Sequence, residues 1–260
     1  MLSEATLRLG AFLGVFALLL AAERLIPWNV PRPLGWRRWL PNLTLVALGG
    51  VTVRFLMPLA AVGAAIWAQS QGIGLFNWLD IPFWLALPLT VVLLDLLIYF
   101  QHRIFHAVPW LWRLHRVHHA DPEMDASTGL RFHPIEIWLS MWVKIAAALA
   151  LGAPPEGIIA FEIILNAASL FEHAAIHIPP RLDRALGWVI VTPSLHRIHH
   201  SEREEETNSH YGFCLSVWDR IFGTWRGTWV GALVLGIRGY RAPTEQRVLP
   251  MLTQPFRRVR

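Results

Sequence analysis

The chain has 260 residues, 54% of them hydrophobic and 14 of them tryptophan, more apolar surface than a soluble domain of this size has interior to bury. Its net charge of +5 comes almost wholly from arginine, and with no nucleic-acid motif or compact basic face beside it, the expected partner is an anionic lipid surface and no nucleic acid. The one cysteine, Cys214, excludes an intramolecular disulfide framework.

In chain order, apolar runs at Thr6–Ala22, Leu43–Ala68 and Ile81–Phe100 are long enough to cross or nearly cross a bilayer. The first lacks the basic start and small-residue site of a cleavable signal, and Glu23-Arg24 before Pro27 reads as a helix end at an interface. Two shorter runs, Glu136–Leu151 and Gly157–Phe171, flank the turn Gly152-Ala153-Pro154-Pro155 and read as a helical hairpin. The fold class expected is thus all-α: an integral membrane bundle of about four to five membrane helices, two of them a hairpin, under a histidine-rich helical cap.

Arginines orient these runs. Arg24, Arg32, Arg37 and Arg38 crowd the loop after the first run, whereas the loop from Gln69 to Asp80 has no Lys or Arg, which puts the former in the cytoplasm. Alternation then delivers residues 101–131 and the chain from His173 onward to that same side of an inner, cytoplasmic membrane. We expect a single domain over 1–240, its cap built from 101–133 and 172–239, and a basic tail over 241–260 ending in Arg257-Arg258-Val259-Arg260. Trp110, Trp112, Trp188, Trp218, Trp225 and Trp229 recur in the cap, where either a layer at the membrane interface or a core role accounts for them.

All 12 histidines lie between His102 and His210. Ten form clusters spaced for helix faces: His102 and His106; His115, His118 and His119; His173 and His177; His196, His199 and His200. Packing or capping explains a lone histidine, but gives no reason to repeat an i, i+3, i+4 spacing. Ten imidazoles exceed what one ion can coordinate, so two metals share them. Structural zinc favours thiolate, of which there is one; an all-imidazole pair suits iron, which with dioxygen can attack an unactivated C–H bond. Zinc is expected to be able to occupy the same ligands in purified protein.

These blocks carry a resemblance. His102-x3-His106, Leu114-His115-Arg116-Val117-His118-His119, the stretch Met124 to Pro134, Leu195-His196-Arg197-Ile198-His199-His200-Ser201, Glu206 to Phe213 and Trp218 to Thr224 resemble the fatty acid hydroxylase and sterol desaturase superfamily. The likeness covers roughly Asp95 to Trp225. It implies a di-iron, O2-dependent membrane oxidoreductase acting under a cytoplasmic cap on a lipid, with the ten clustered histidines as ligands. Hydroxylation of a fatty acyl, sterol or related lipid is the leading reading, and a desaturase with the same metals the alternative. A membrane metal carrier is a rival outside catalysis, and a redox-silent structural zinc protein another. One departure stands before Tyr211-Gly212, where many relatives carry Asn and this chain has His210, for which a donor bond behind the ligands and a capping or surface place are the alternatives.

Around the ligands, Asp95 lies two helical turns before His102 with Tyr99 nearby, and Glu162 shares the face of His173, so all three are candidates to orient ligands or line a pocket. Pairing with Arg54 or Lys144 is the other explanation of the two acids. Asp125 and Asp219 have ligand orientation and loop capping as alternatives, and His133 has pocket lining and helix entry. The acidic run Glu202–Glu206 reads as a solvated helix face or a docking patch for an electron donor. No Gly-x-Gly-x-x-Gly fingerprint or haem-binding domain occurs, so electrons are expected from a separate protein, a ferredoxin or a cytochrome b5-type carrier with its reductase.

Overall fold

The computed structural model describes residues 3–28, 35–57 and 59–257; Arg32 of the arginine-rich loop and Arg258-Val259-Arg260 of the tail lie outside the described residues. Helices account for the fold, and no strand forms among the described residues. In order they are α1 (Glu4–Leu25), α2 (Trp36–Leu56), α3 (Ala60–Ser70), α4 (Leu75–Trp78), α5 (Phe83–Ala107), α6 (Pro109–His119), α7 (Pro134–Leu151), α8 (Pro155–His173), α9 (Pro180–Leu186), α10 (Pro193–His199), α11 (Glu204–Thr207), α12 (Val217–Ile221) and α13 (Val248–Thr253). Five of them begin with Pro at the first helical position, where its missing N–H has no partner to lose.

Four stretches are long and apolar enough to cross a membrane: Glu4–Leu25, Trp36–Trp78, Phe83–Ala107 and Pro134–Leu151. The chain fits a multi-pass membrane protein. Its outward faces are apolar, as lipid contact requires: Leu13, Leu18, Phe55, Ile66 and Trp84 are all exposed. Small residues set the packing distances between spans. A Cβ at Gly49 would lie 3.1 Å from the Ile137 side chain, and one at Gly157 3.0 Å from Thr90, so α2 meets α7, and α5 meets α8, at close range.

The hairpin expected from the Gly-Ala-Pro-Pro turn is α7 and α8. Gly152 ends α7 in the left-handed region (φ +62°), and its amide packs where a side chain on Gly74 would have to sit. This loop marks one end of the bundle. At the other end α1 finishes, α2 begins, α5 delivers His102 and His106, and α8 delivers His173. Glu23 at the end of α1 accepts from Ala126 N at 2.7 Å and Ala175 N at 2.9 Å, and Asn42 of α2 donates to Ser127 Oγ at 3.0 Å. The arginine-bearing loop and the histidines therefore share one end.

Between α6 and α7 a 3-10 turn, Ala126–Leu130, lies against α8 so tightly that a Cβ on Gly129 would overlap the Ser169 carbonyl. Arg38 at the start of α2 reaches Asp121 and Asp125, each at 2.5 Å, and so clamps the cap to the spans. Burial opposes ionisation of Asp121, but the guanidiniums of Arg38 and Arg131 outweigh it and hold the carboxyl below its usual range. Residues 241–257 fold onto this end: Met251 is buried with Leu45 and Val117, Arg116 donates to Gln254 O at 2.5 Å and Arg257 O at 2.7 Å, and Arg257 pairs with Glu245 at 2.5 Å. Among the cap tryptophans Trp110, Trp188 and Trp225 are exposed, whereas Trp112 and Trp218 are half-buried.

Candidate metal centre

Nine histidines converge into two groups. His102, His106, His115, His119 and His199 form one, and His118, His173, His196 and His200 the other; within each, one nitrogen per ring lies within 4.8 Å of every other. The two His-x-x-His-His motifs divide in opposite senses. His115 and His119, one turn apart on α6, enter the five-histidine group while His118 crosses to the four. His196 and His200, at the end of α10, enter the group of four while His199 crosses to the five. Each motif therefore ties both groups together.

His177 joins neither. The i, i+4 expectation fails there because α8 stops at His173: Ala174 is extended, and the chain pairs instead with the end of α1, where His177 N donates to Ile26 O at 2.7 Å. His177 lines a separate cavity beside Trp28 and Arg197. His210 also stands apart, with its Nε2 2.6 Å from Arg226 O.

Hydrogen bonds fix the tautomers that matter. Carbonyl and carboxylate oxygens only accept, so Nδ1–H donates from His102 to Tyr211 O (3.0 Å), from His199 to Ser209 O (2.7 Å), from His115 to Glu136 Oε1 (2.6 Å) and from His173 to Ser169 O (2.6 Å). The Nε2 of each is then a bare lone pair. Yet His102 Nε2 lies 3.0 Å from both His115 Nε2 and His199 Nε2. In the second group His173 Nε2 lies 3.0 Å from the Nε2 atoms of His118 and His196, and 3.1 Å from that of His200. Three lone pairs facing one another in a buried site repel unless a cation lies between them. Nitrogens about 2.1 Å from one ion stand ~3.0–3.4 Å apart at right-angle to tetrahedral geometry, which matches these separations. Burial first, then neighbouring imidazoles, holds His118, His119, His196, His199 and His200 well below the usual 6.5, which disfavours a proton as the cation at those rings. The donor sets fit two metal ions.

Packing aims the rings. Phe132 stacks on His118 at 4.3 Å between centroids. Asp219 accepts from Tyr211 N at 2.7 Å, Gly212 N at 2.9 Å and the Thr224 hydroxyl at 2.7 Å, and thereby fixes the loop whose Tyr211 carbonyl holds His102.

The acids and rings marked as orienting candidates have other partners. Asp95 accepts from Cys214 N, Leu215 N and Trp218 Nε1 at 3.0, 3.1 and 2.8 Å, so it reaches His102 only through the same loop. Tyr99 bonds the Thr224 hydroxyl at 2.8 Å. Glu162 sits between Lys144 and Arg8. Asp125 caps the 126–130 turn, accepting from Ser127 N at 2.9 Å, and His133 caps α7 while donating to Leu252 O at 3.2 Å. The Glu202–Glu206 run is not uniformly solvated, since Glu206 is buried and accepts from Val230 N at 2.7 Å.

Two carboxylates escaped the sequence reading. Glu136 bonds His115, and Glu172 is fully buried, 3.7 Å from His173 Nδ1 and His196 Nε2, with no hydrogen-bond partner for either oxygen among the described residues. An acid directly before a cluster histidine in an apolar helix was the available signal for Glu172; an acid in the first turn of a span reads as dipole complement, and so concealed Glu136. The carbonyls of Ser169, Ser209 and Tyr211 carry no sequence signal.

A cavity of about 240 Å³ opens beside the five-histidine group, between α2, α5, α7 and α8. His102, His115 and Glu136 close one end; Ile98, Phe105, Ile137, Met141 and Phe213 wall it, and Lys144 and Asn166 line it further along the spans.

The profile of a family described as fatty acid hydroxylase matches residues 87–224. An ornithine lipid hydroxylase of Rhizobium tropici is 26% identical over 95% of this chain and 75% of its own length. An alkylglycerol monooxygenase of Xenopus tropicalis is 30% identical over 65% of this chain, and human cholesterol 25-hydroxylase 25% identical over 52%. The chain spans 33% of the frog protein and 49% of the human one. No solved structure matches the chain significantly.

Proposed function

Because the chain belongs to the fatty acid hydroxylase family, we propose that it hydroxylates a C–H bond of a membrane lipid with O2, at two iron ions held by the nine converging histidines. The observation that carries this reading is the set of tautomer-fixed lone pairs facing one another at 3.0 Å. An iron pair would supply the redox chemistry that activates O2 for attack on a C–H bond, which no side chain performs unaided. The relatives act, by name, on an ornithine lipid, an alkylglycerol and cholesterol, which supports a lipid as the substrate class.

The chain's own residues have definite tasks. His102, His106, His115, His119 and His199 would hold one ion, and His118, His173, His196 and His200 the other. Glu136 orients the His115 ring through its short hydrogen bond, and Glu172 lies beside the group of four, where burial disfavours its charged form and an ion would compensate that burial. The apolar walls of the cavity exclude water and hold a hydrocarbon with one C–H at its His102–His115 end. On this reading reductant comes from a separate ferredoxin or cytochrome b5-type protein, and the arginine bias supports a cytoplasmic histidine end in the inner membrane.

The test is untargeted lipid mass spectrometry on cells expressing the intact chain beside His118→Ala and His199→Ala variants. A lipid gaining one oxygen only with the intact chain is expected. A lipid losing two hydrogens instead would assign desaturation, and unchanged lipids despite an iron-loaded protein and supplied reductant would overturn the proposal.

A further inference from the structure

One cavity is not lined by any of the nine converging histidines. It encloses about 770 Å³ on the opposite face of α10, walled by Trp28, Leu195, Ile198, Trp188 and Trp225. Its charge is unusual for an apolar space. Among the described residues Arg184, Arg197 and Arg220 line it against a single carboxylate, Asp183, which already accepts from the Ser194 hydroxyl. None of the three guanidiniums lies in an ion pair among the described residues, although five other basic side chains do.

Arg197 is 2% exposed; it stacks over Trp28 at 4.1 Å and donates through Nη2 to Ala174 O at 2.6 Å, while its Nε has no hydrogen-bond partner among the described residues. A buried, unpaired guanidinium with a free donor is costly unless an anion meets it. Arg220 lies between Trp188 and Trp225, 4.5 and 4.8 Å from the ring centroids, which holds its fork in place. Trp28 follows directly on the end of α1, so the cavity sits at the level where the spanning helices end, the depth of lipid headgroups. Leu182, Trp188, Val189 and Ile221 are exposed around this part of the cap, an apolar rim suited to acyl chains.

We infer that this cavity binds the phosphate headgroup of an anionic lipid from the surrounding leaflet, with the guanidiniums of Arg197, Arg220 and Arg184 on the phosphate oxygens and the tryptophans against the glycerol and upper chain. Guanidinium forks match phosphate geometry, and a cavity of this size exceeds what a bare anion fills but suits an amphiphile. The site lies apart from the metal centre and does not depend on which reaction occurs there.

The test uses full-length, metal-loaded protein in neutral detergent, with dioctanoyl phosphatidylglycerol as probe, and native mass spectrometry with calorimetry as the readout. Saturable binding is expected, weakened roughly tenfold or more in Arg184→Gln/Arg220→Gln. Metal content and thermal midpoint equal to the parent show that this variant folds, and Arg184→Gln alone, at an exposed position, is expected to weaken binding by a smaller factor. Three outcomes overturn the inference: dioctanoylglycerol binding as tightly as the anionic lipid, inorganic phosphate displacing the lipid at equal concentration, or binding that is indifferent to the arginine substitutions.

Discussion

Glu136→Gln isolates the contribution of one carboxylate to one ion. One Glu136 oxygen accepts from His115 Nδ1 at 2.6 Å with both side chains buried, and the other has no hydrogen-bond partner among the described residues. Glutamine keeps the shape and removes the charge, so His115 becomes a poorer electron donor through Nε2. Its amide has two orientations. With the carbonyl toward His115, the NH2 occupies the unpartnered position, at a cost of about 1–3 kcal/mol. With the NH2 toward His115, the ring must flip its tautomer and aims an N–H at the ion. Losing a carboxylate partner of this kind lowers metal affinity about 10–100-fold, or ~1.4–2.8 kcal/mol. The assay is chelator competition on purified protein, following the metal retained per chain, with Glu202→Gln as control. Glu202 pairs with Arg241 at the surface, and its variant is expected to stay within about twofold of the parent. A Glu136→Gln protein that holds metal as tightly as the parent would refute the assigned role of that hydrogen bond.

Further predictions concern acid, ligand assignment and packing. The buried cap histidines titrate below their usual 6.5, so as pH falls through that value the unfolded chain takes up protons that the folded site refuses. Stability is present above about pH 6.5 and lost toward acid at up to ~1.4 kcal/mol per pH unit per imidazole, so the thermal midpoint of metal-free protein should drop between about pH 7 and 5.5; a flat or rising midpoint contradicts this. His177→Ala should retain its full metal complement, whereas His199→Ala should empty or weaken the five-histidine group and His118→Ala the group of four; metal analysis in which His177→Ala loses as much as the others would reject the division. Gly129→Ala forces a methyl into the Ser169 carbonyl and should destabilise by ~2 kcal/mol or more, seen as a several-degree fall in Tm; an unchanged Tm would mean the 126–130 turn can move away from α8.

Much of the site was legible because its signals are local. The spacing of His115, His118 and His119 on one short helix, and of His196, His199 and His200 on another, points to candidate metal ligands before any fold is known. Which ring joins which group is not local: His118 and His199 each cross to the group seeded by the other motif, a consequence of the α6 and α10 rings facing each other. His177 was misjudged as a neighbour of His173 on one helix face, because backbone pairing with Ile26 ends α8, and nothing near residue 173 in the sequence announces that partner. Glu162 shares a face with His173 by spacing, but the chain supplies Arg8 and Lys144 on adjacent helices, and charge within an apolar bundle is settled by the nearest opposite charge. The spans were readable by length and composition, apart from the bend that divides the Leu43–Ala68 run between α2 and α3.

The most direct measurement of the central claim is metal analysis of the purified chain after iron reconstitution, read beside the His118→Ala and His199→Ala variants. Two iron ions per chain, with about one fewer in each variant, is the predicted result. A single ion per chain, or a stoichiometry that neither substitution lowers, would contradict a centre built from two converging sets of imidazoles.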